Sequence, residues 1–372
     1  MKILYVVNSL AGSGGLEKIL LDKANAFVNC FHWDIGFLCG TKKNFPPCNN
    51  KKFELFSFSD EEYSSRIPSL RRFFKYANVL KKFNPDVVII CNNKLEDFLY
   101  PFVTPKRMKV LKEIHGSYQS VVFGYPYLMN GSKQRLWWLY KYLYPLLLSS
   151  FAKTIFLTEK DKFLWNVKNA CVIGNFSNLT KNKCNASDLY LQWRAISVGR
   201  LEPNKGMVDL IKLWQVVKQK IGNLRLDIYG IGKQKNELEL LIRQYQIEDL
   251  VSLKGYSTNI IDEYNSSTVF VSASYSEGFP LVILESQICG LPSVVYNAPN
   301  GFSELIKPGY NGEIVERGNV TQFVDSLKKV LSSLDVYRSY SENAVRHSTK
   351  FSKDAIILKW HSLLTSLVKN EK

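Results

Sequence analysis

Two carboxylates frame the stretch Ser276-Glu277-Gly278-Phe279-Pro280-Leu281-Val282-Ile283-Leu284-Glu285. Gly278 and Pro280 place Glu277 in a loop, and the apolar run after them predicts a helix that carries Glu285 about two turns inside it. Roughly 10 Å or more then separates the two groups along the helix, too far for a shared acid–base pair at one carbon. Separate roles are expected, one on a sugar and one on a ribose. In Val198-Gly199-Arg200-Leu201-Glu202-Pro203-Asn204-Lys205-Gly206 a guanidinium and an ammonium stand five residues apart just after an apolar run. Two cations at the end of a strand can neutralise a diphosphate and stabilise the charge it gains as a leaving group.

Three weaker signals point the same way. His115-Gly116 follows the apolar run Val110–Ile114, which sets an imidazole at the carboxyl end of a strand, where open parallel sheets bind ligands. Ser9-Leu10-Ala11-Gly12-Ser13-Gly14-Gly15-Leu16-Glu17 lies between a first strand and an amphipathic helix, so bare N–H groups can approach a phosphate or a sugar. It lacks both the dinucleotide spacing G-x-G-x-x-G and the Lys-Ser/Thr of a P-loop. Tyr229-Gly230-Ile231-Gly232 is a second glycine turn. Each of the three, taken singly, is also what an ordinary turn or a surface histidine looks like.

Such groups need rigid elements to hold them. Short apolar runs alternate with helical patterns, the signature of parallel sheets with crossover helices. Strands are predicted at Ile3–Val7, Trp33–Leu38, Val87–Cys91, Val110–Ile114 and Thr154–Leu157, with helices at Leu16–Val28, Ile67–Phe83 and Lys133–Phe151. The series restarts with strands at Ala195–Val198, Arg225–Tyr229, Val251–Leu253, Val269–Ser272, Pro292–Tyr296 and Gly312–Val315. Two doubly wound α/β domains follow, over residues 1–178 and 179–351, joined through the polar stretch Asn175–Asp188. Residues 352–372 form a last amphipathic helix, with Ser352 ahead of Ile356, Leu358, Trp360, Leu363 and Leu367.

The chain has 372 residues, 46% hydrophobic and 22% charged, enough for two full cores and incompatible with a disordered or fibrous protein. Its formal charge of +16 favours an anionic partner. Residues 1–180 carry 25 basic and 13 acidic side chains while residues 181–372 carry 24 and 20, so the first domain holds most of the excess. Seven scattered cysteines without a C-x-x-C pair fit a reducing compartment rather than a zinc or redox centre. The first apolar run is too short for a signal peptide. The stretch Leu136 to Ala152 is interrupted by Lys141 and Pro145, so no transmembrane segment is expected.

Together these residues resemble glycosyltransferase family 4, retaining enzymes of the GT-B fold that use nucleotide-activated sugars. The likeness runs through the Gly-Gly-x-Glu turn at 14–17, His115, Val-Gly-Arg-(x)4-Lys-Gly at 198–206, Tyr-Gly-x-Gly at 229–232 and the Glu277 to Glu285 block. Gly290-Leu291-Pro292 and Gly301-Phe302-Ser303-Glu304 continue it, with Phe302 where the family commonly has proline. The resemblance implies two Rossmann-like domains facing a cleft, an acceptor domain first and a nucleotide-sugar domain second, with the final helix crossing back to the first. It implies that Arg200 and Lys205 hold the donor diphosphate and that Glu285 binds the ribose. Glu277 and the backbone amides of Gly278, Phe279, Pro280 and Leu281 would hold the donor sugar, beside Gly230. Pro280 has no N–H and can offer only its carbonyl and ring. Gly15 would lie against the diphosphate or the acceptor, Gly14 and Glu17 on the acceptor, and His115 at the transferred sugar. Catalysis would fall to Glu277, His115, Arg200 and Lys205. No Asp-x-Asp signature occurs, so no metal or other cofactor is expected.

For the acceptor, Arg66, Arg71, Arg72, Lys75, Lys81 and Lys82 interleave with Leu70, Phe73, Phe74, Tyr76, Val79, Leu80 and Phe83 as a basic amphipathic helix, and Lys133, Arg135, Trp137, Trp138 and Tyr140 start a second. Both suit docking on an anionic bilayer, where lipid-linked acceptors are found. Lys outnumbers Arg 37 to 12, a usage common in AT-rich bacterial genes, which makes lipopolysaccharide, capsule or another lipid-linked glycan the natural setting. The expected protein is a hexosyltransferase using a UDP-sugar, peripheral on the cytoplasmic face of the membrane, without a nucleic-acid partner. The alternative from another class is a catalytically silent nucleotide-sugar-binding subunit of a glycan-assembly complex.

Overall fold

The computed structural model describes the chain apart from residues 13, 47–51, 59–69, 93, 119–136, 180–184, 299–300 and 370–372, and apart from the side chains of 70, 95 and 137–141. It divides into two compact units, Met1–Asn175 with Lys353–Lys372, and Phe176–Ser352. The division falls after Asn175, and Phe176, the first residue of the second unit, is buried.

In the first unit β1 (Lys2–Val6), β2 (Asp34–Cys39), β3 (Phe53–Ser57), β4 (Val87–Ile90), β5 (Lys109–Ile114), β6 (Lys153–Phe156) and β7 (Ala170–Val172) form one sheet in the order β3-β2-β1-β4-β5-β6-β7, every pair parallel. Its helices are α1 (Gly15–Phe31), α2 (Leu70–Phe83), α3 (Tyr100–Val103), α4 (Trp137–Leu148) and α5 (Glu159–Trp165). Ile19, Leu20, Ala24 and Phe27 bury one stripe of α1, and α1 stops where His32 turns left-handed at φ 54°. β4 reads Val87-Val88-Ile89-Ile90 and is buried at every position, as a central parallel strand covered on both faces must be.

The second unit repeats the plan. Strands β8 (Arg194–Val198), β9 (Arg225–Tyr229), β10 (Val251–Gly255), β11 (Val269–Ser272), β12 (Ser293–Tyr296) and β13 (Gly312–Val315) pair in parallel in the order β10-β9-β8-β11-β12-β13. Around them lie α6 (Ala186–Leu191), α7 (Met207–Lys220), α8 (Lys235–Gln244), α9 (Ile260–Asn265), α10 (Leu281–Ile288), α11 (Phe302–Leu305), α12 (Val320–Val330) and α13 (Leu334–Ser348). The chain then rejoins the first unit as α14 (Lys353–Lys369), whose Ile356, Ile357, Trp360 and Leu364 are buried. Trp360 meets Phe27 of α1 edge-on, with ring centroids 6.3 Å apart.

Each sheet has one place where the strand order reverses, between β1 and β4 and between β8 and β11. Crossovers leave in opposite directions there, so the loops at the strands' carboxyl ends part and leave room for a ligand.

Two charged residues stand otherwise than the sequence reading has them. α10 begins at Leu281, with Pro280 at its N-cap, so Glu285 is its fifth residue and sits about one turn inside, not two. Arg72 of α2 does not face outward with the other basic residues. It is buried and donates to Glu96 Oε2 at 2.5 Å, because helical spacing turns it onto the side of α2 that packs on the residues around α3. Arg66, Lys133 and Arg135 lie outside the described residues, as do the side chains of Leu70, Trp137, Trp138 and Tyr140. No helix among the described residues is long and apolar enough to cross a membrane.

Candidate active site

Lys205 and Glu277 leave from the two strands that flank the reversal in the second sheet. Lys205 ends a single 3-10 turn, Pro203–Lys205, in the loop after β8, and Glu277 lies in the loop after β11. Their side chains form an ion pair, Nζ to Oε1 at 2.7 Å, with exposures of 20% and 13%. The group expected on a diphosphate and the group expected on a sugar are thus neighbours.

Backbone contacts lock the two loops together. Tyr275 donates its N–H to the carbonyl of Asn204 at 2.9 Å. Gly206 has φ +65°, and a Cβ there would lie 1.9 Å from the carbonyl oxygen of Ala273, so only glycine lets the loops close to this distance. Gly230 does the same on the other side of β8: its Cβ would fall 1.8 Å from the carbonyl oxygen of Gly199.

Arg200 is 61% exposed at its side chain and pairs at 3.0 Å with Glu202, so it stands free to swing toward an anion. Gly278, Phe279 and Pro280 lead into α10, so backbone N–H groups of the first turn, from Leu281 onward, point back toward the Glu277 loop. Glu285 is buried in α10.

Arg317, which no spacing in the sequence singles out, braces this site. From the end of β13 it donates to the carbonyl of Ala273 at 2.9 Å and to that of Ser274, pairs with Asp209 at 3.2 Å, and stacks its guanidinium 4.0 Å from the centre of the Tyr275 ring. The Tyr275 hydroxyl donates to the same Asp209 carboxylate at 2.7 Å. A rigid planar fork across two successive carbonyls fixes the segment that runs into Glu277.

In the first unit Gly14 caps α1 without any side-chain bond, and Glu17 folds back over the turn: a Cβ on Gly14 would lie 2.5 Å from Glu17 Oε2. A carboxylate so placed accepts hydroxyl protons and repels phosphate. His115, directly after β5, is 11% exposed at its side chain, with Nε2 3.4 Å from Glu113 Oε1. Glu113 is itself buried and holds the Lys23 ammonium of α1 at 2.5 and 2.6 Å, one bond to each oxygen. Burial pushes the Glu113 carboxyl up, but Lys23 and His115 outweigh it and leave it at about 2 against an ordinary 4.5. Lys23 also lies 4.2 Å from the centre of the Trp360 ring, so α14 helps enclose the charge.

Donor atoms of Cys91, Glu113 and His115 lie within 4.8 Å of one another, the one such grouping among the described residues. Both oxygens of Glu113 are already engaged by Lys23, and burial together with Glu113 holds the Cys91 thiol well above its usual range. This is a salt-bridged core, poorly suited to a cation.

Residues 191–347 match the profile of glycosyl transferases group 1. Over nearly its full length the chain is similar to an uncharacterized glycosyltransferase of Haemophilus influenzae, 26% identical over 371 residues, covering 98% of this chain and 99% of the relative. It is likewise similar to the amylovoran biosynthesis glycosyltransferase AmsD of Erwinia amylovora, 25% identical over 377 residues with 98% and 99% covered. Among solved structures, Anabaena HepE in complex with UDP superposes with a TM-score of 0.76 at 18% identity, over 98% of this chain and all of that one (100%). Two Rossmann-like α/β units with these structural neighbours define the GT-B fold class.

Proposed function

We propose that this protein is a retaining family 4 glycosyltransferase that moves a hexose or N-acetylhexosamine from a UDP-linked donor to a glycan or lipid-linked acceptor in cell-surface polysaccharide synthesis. The observation that carries this reading is the Lys205–Glu277 pair at the reversal point of the second sheet, inside the segment that matches the group 1 profile. A diphosphate entering that point takes Lys205 as counter-ion, joined by Arg200. Glu277, released from the ammonium, accepts from hydroxyls of the donor sugar. Backbone amides from Gly278 to Leu281, excepting Pro280, and the Gly230 turn carry the rest of the donor, and Glu285 takes the ribose.

On the first unit, Gly14 and Glu17 receive the acceptor, Gly15 lies against the diphosphate or the acceptor, and His115 works at the transferred sugar. In a front-face transfer the bond from the anomeric carbon to the leaving phosphate oxygen breaks as the acceptor oxygen bonds to that carbon from the same face. The departing phosphate accepts the acceptor's proton, so neither an enzymic nucleophile nor a metal ion is needed. The charge that grows on the phosphate is met by Arg200 and Lys205. The enzyme works at the cytoplasmic face of an anionic membrane.

A thermal-shift screen against nucleotide sugars, with and without EDTA, tests the reading. One UDP-sugar stabilising the protein more than UDP alone, in EDTA, is the expected result; no response to any nucleotide would overturn it.

A further inference from the structure

The backbone that carries His115 is anchored on both sides. On one side it leaves β5, paired with β4 and β6. On the other, three residues on, Tyr118 donates its N–H to Asp161 Oδ1 at 2.8 Å and packs its ring edge-on against Trp165, centroids 4.9 Å apart. Asp161 is itself held, since its Oδ2 accepts from the Thr158 hydroxyl at 2.9 Å. What such anchoring leaves open is how the imidazole turns about its own bonds.

Glu113 acts on that choice. Its Oε1 lies 3.4 Å from His115 Nε2, an ionic contact rather than a hydrogen bond, and Nε2 is buried without a hydrogen bond among the described residues. Lys23 donates to both oxygens of Glu113, and Cys91 Sγ donates to Oε2 at 3.6 Å, so the carboxylate is the acceptor of this cluster. An oxygen that holds an ammonium keeps a second lone pair for a ring N–H. Turning the imidazole over would set Cε1 against the carboxylate in place of Nε2. Nor is a buried ion pair needed to join α1 to β5, because apolar side chains of the same volume do that as well or better. They cannot accept a proton from an imidazole.

We propose that Glu113 is a positioning residue for the transfer: it keeps the His115 proton on Nε2 and the ring turned so that Nδ1 is the nitrogen offered to a hydroxyl of the transferred sugar. Lys23 holds the carboxylate in place for this. The proposal rests on the placement of His115 at that sugar given above, and it adds which ring atom acts and which residue selects it.

Nitrogen-15 labelling of histidine in the full chain tests it, since only four rings give signals and His115→Ala identifies the one concerned. At mildly alkaline pH the native protein should show His115 with its proton on Nε2. Lys23→Met/Glu113→Met, which removes the acceptor and leaves an apolar pair, should show mixed tautomers, and Lys23→Met/Glu113→Gln, which restores an acceptor oxygen, should return toward the native spectrum. In release of UDP from UDP-glucose and UDP-N-acetylglucosamine, the Met/Met variant should lose about tenfold or more in kcat while KM stays within about twofold. Placed in His115→Ala, the same pair of substitutions should cost nothing further, because the residue they act through is gone.

A native His115 protonated on Nδ1 or in mixed tautomers would overturn the proposal, and that result needs no variant. So would a native tautomer in the Met/Met variant, or an equal loss of kcat with and without His115. Absence of UDP release by the native protein from either sugar counts against the transferase reading, while the spectra decide the hold of Glu113 on the ring independently of activity.

Discussion

Lys205 Nζ and Glu277 Oε1 lie 2.7 Å apart although 72 positions separate the residues in sequence. Each is the other's counter-ion, so a diphosphate must compete with Glu277 for the ammonium. Glu277→Gln should therefore leave UDP affinity equal or tighter by calorimetry while turnover collapses. UDP binding that weakens in this variant would show that Glu277 supports the diphosphate and not the sugar.

Removing the cations should act in the opposite sense. Lys205→Met and Arg200→Met are each expected to weaken UDP binding by about 1–3 kcal/mol, the size of a charged hydrogen bond. Isothermal titration of both variants measures this. Unchanged affinity in Lys205→Met would place the diphosphate elsewhere.

Arg317→Met should cost stability of about 1–3 kcal/mol, because it removes the guanidinium donor from the carbonyls of Ala273 and Ser274 and leaves the Asp209 carboxylate with the Tyr275 hydroxyl but without its cation. The loosened Glu277 loop should also raise KM for the donor. Urea melts together with donor titrations check both parts, and a variant as stable as the native protein with native KM would remove Arg317 from any bracing role.

The Lys23–Glu113 pair sets an acid limit on stability. Glu113 has a folded pKa of about 2, depressed from an ordinary 4.5, so its contribution is fully present above the higher value and is lost as pH falls toward the lower one. Lys23→Met should destabilise by about 3–5 kcal/mol by stranding a buried carboxylate, and Lys23→Met/Glu113→Gln should recover most of it. Denaturant unfolding across that pH range reads the effect; a double variant as weak as the single one would mean that packing of the lysine stem, not charge, is what matters.

Turnover should persist in EDTA, since the proposed transfer places its leaving-group charge on Arg200 and Lys205. Activity abolished by EDTA and restored by a divalent ion would contradict that route.

Most strands were legible as apolar runs. Arg225–Tyr229, Val269–Ser272 and Gly312–Val315 begin and end where the pattern puts them. β3 and β7 were not: Phe53-Glu54-Leu55-Phe56-Ser57 has no clean alternation, and β7 has three residues, too few to show a period. Both are edge strands, which take their conformation from the neighbour they pair with.

The chain's local pattern determined that Arg200, Lys205, His115, Glu277 and the glycine turns follow strands, because strand–loop–helix punctuation is a property of neighbouring residues. Which of those loops meet was decided by strand order. β8 and β11 are adjacent, so Lys205 found Glu277; α1 packs on the first sheet with Lys23 turned inward, so its ammonium reaches Glu113 of β5 across 90 positions. The side of a helix on which a charge ends up is likewise a matter of packing, which is why Arg72 went inside while Lys75 and Lys82 stayed at the surface. Pairings between distant residues depend on how whole elements stack, and only the tertiary structure holds that information.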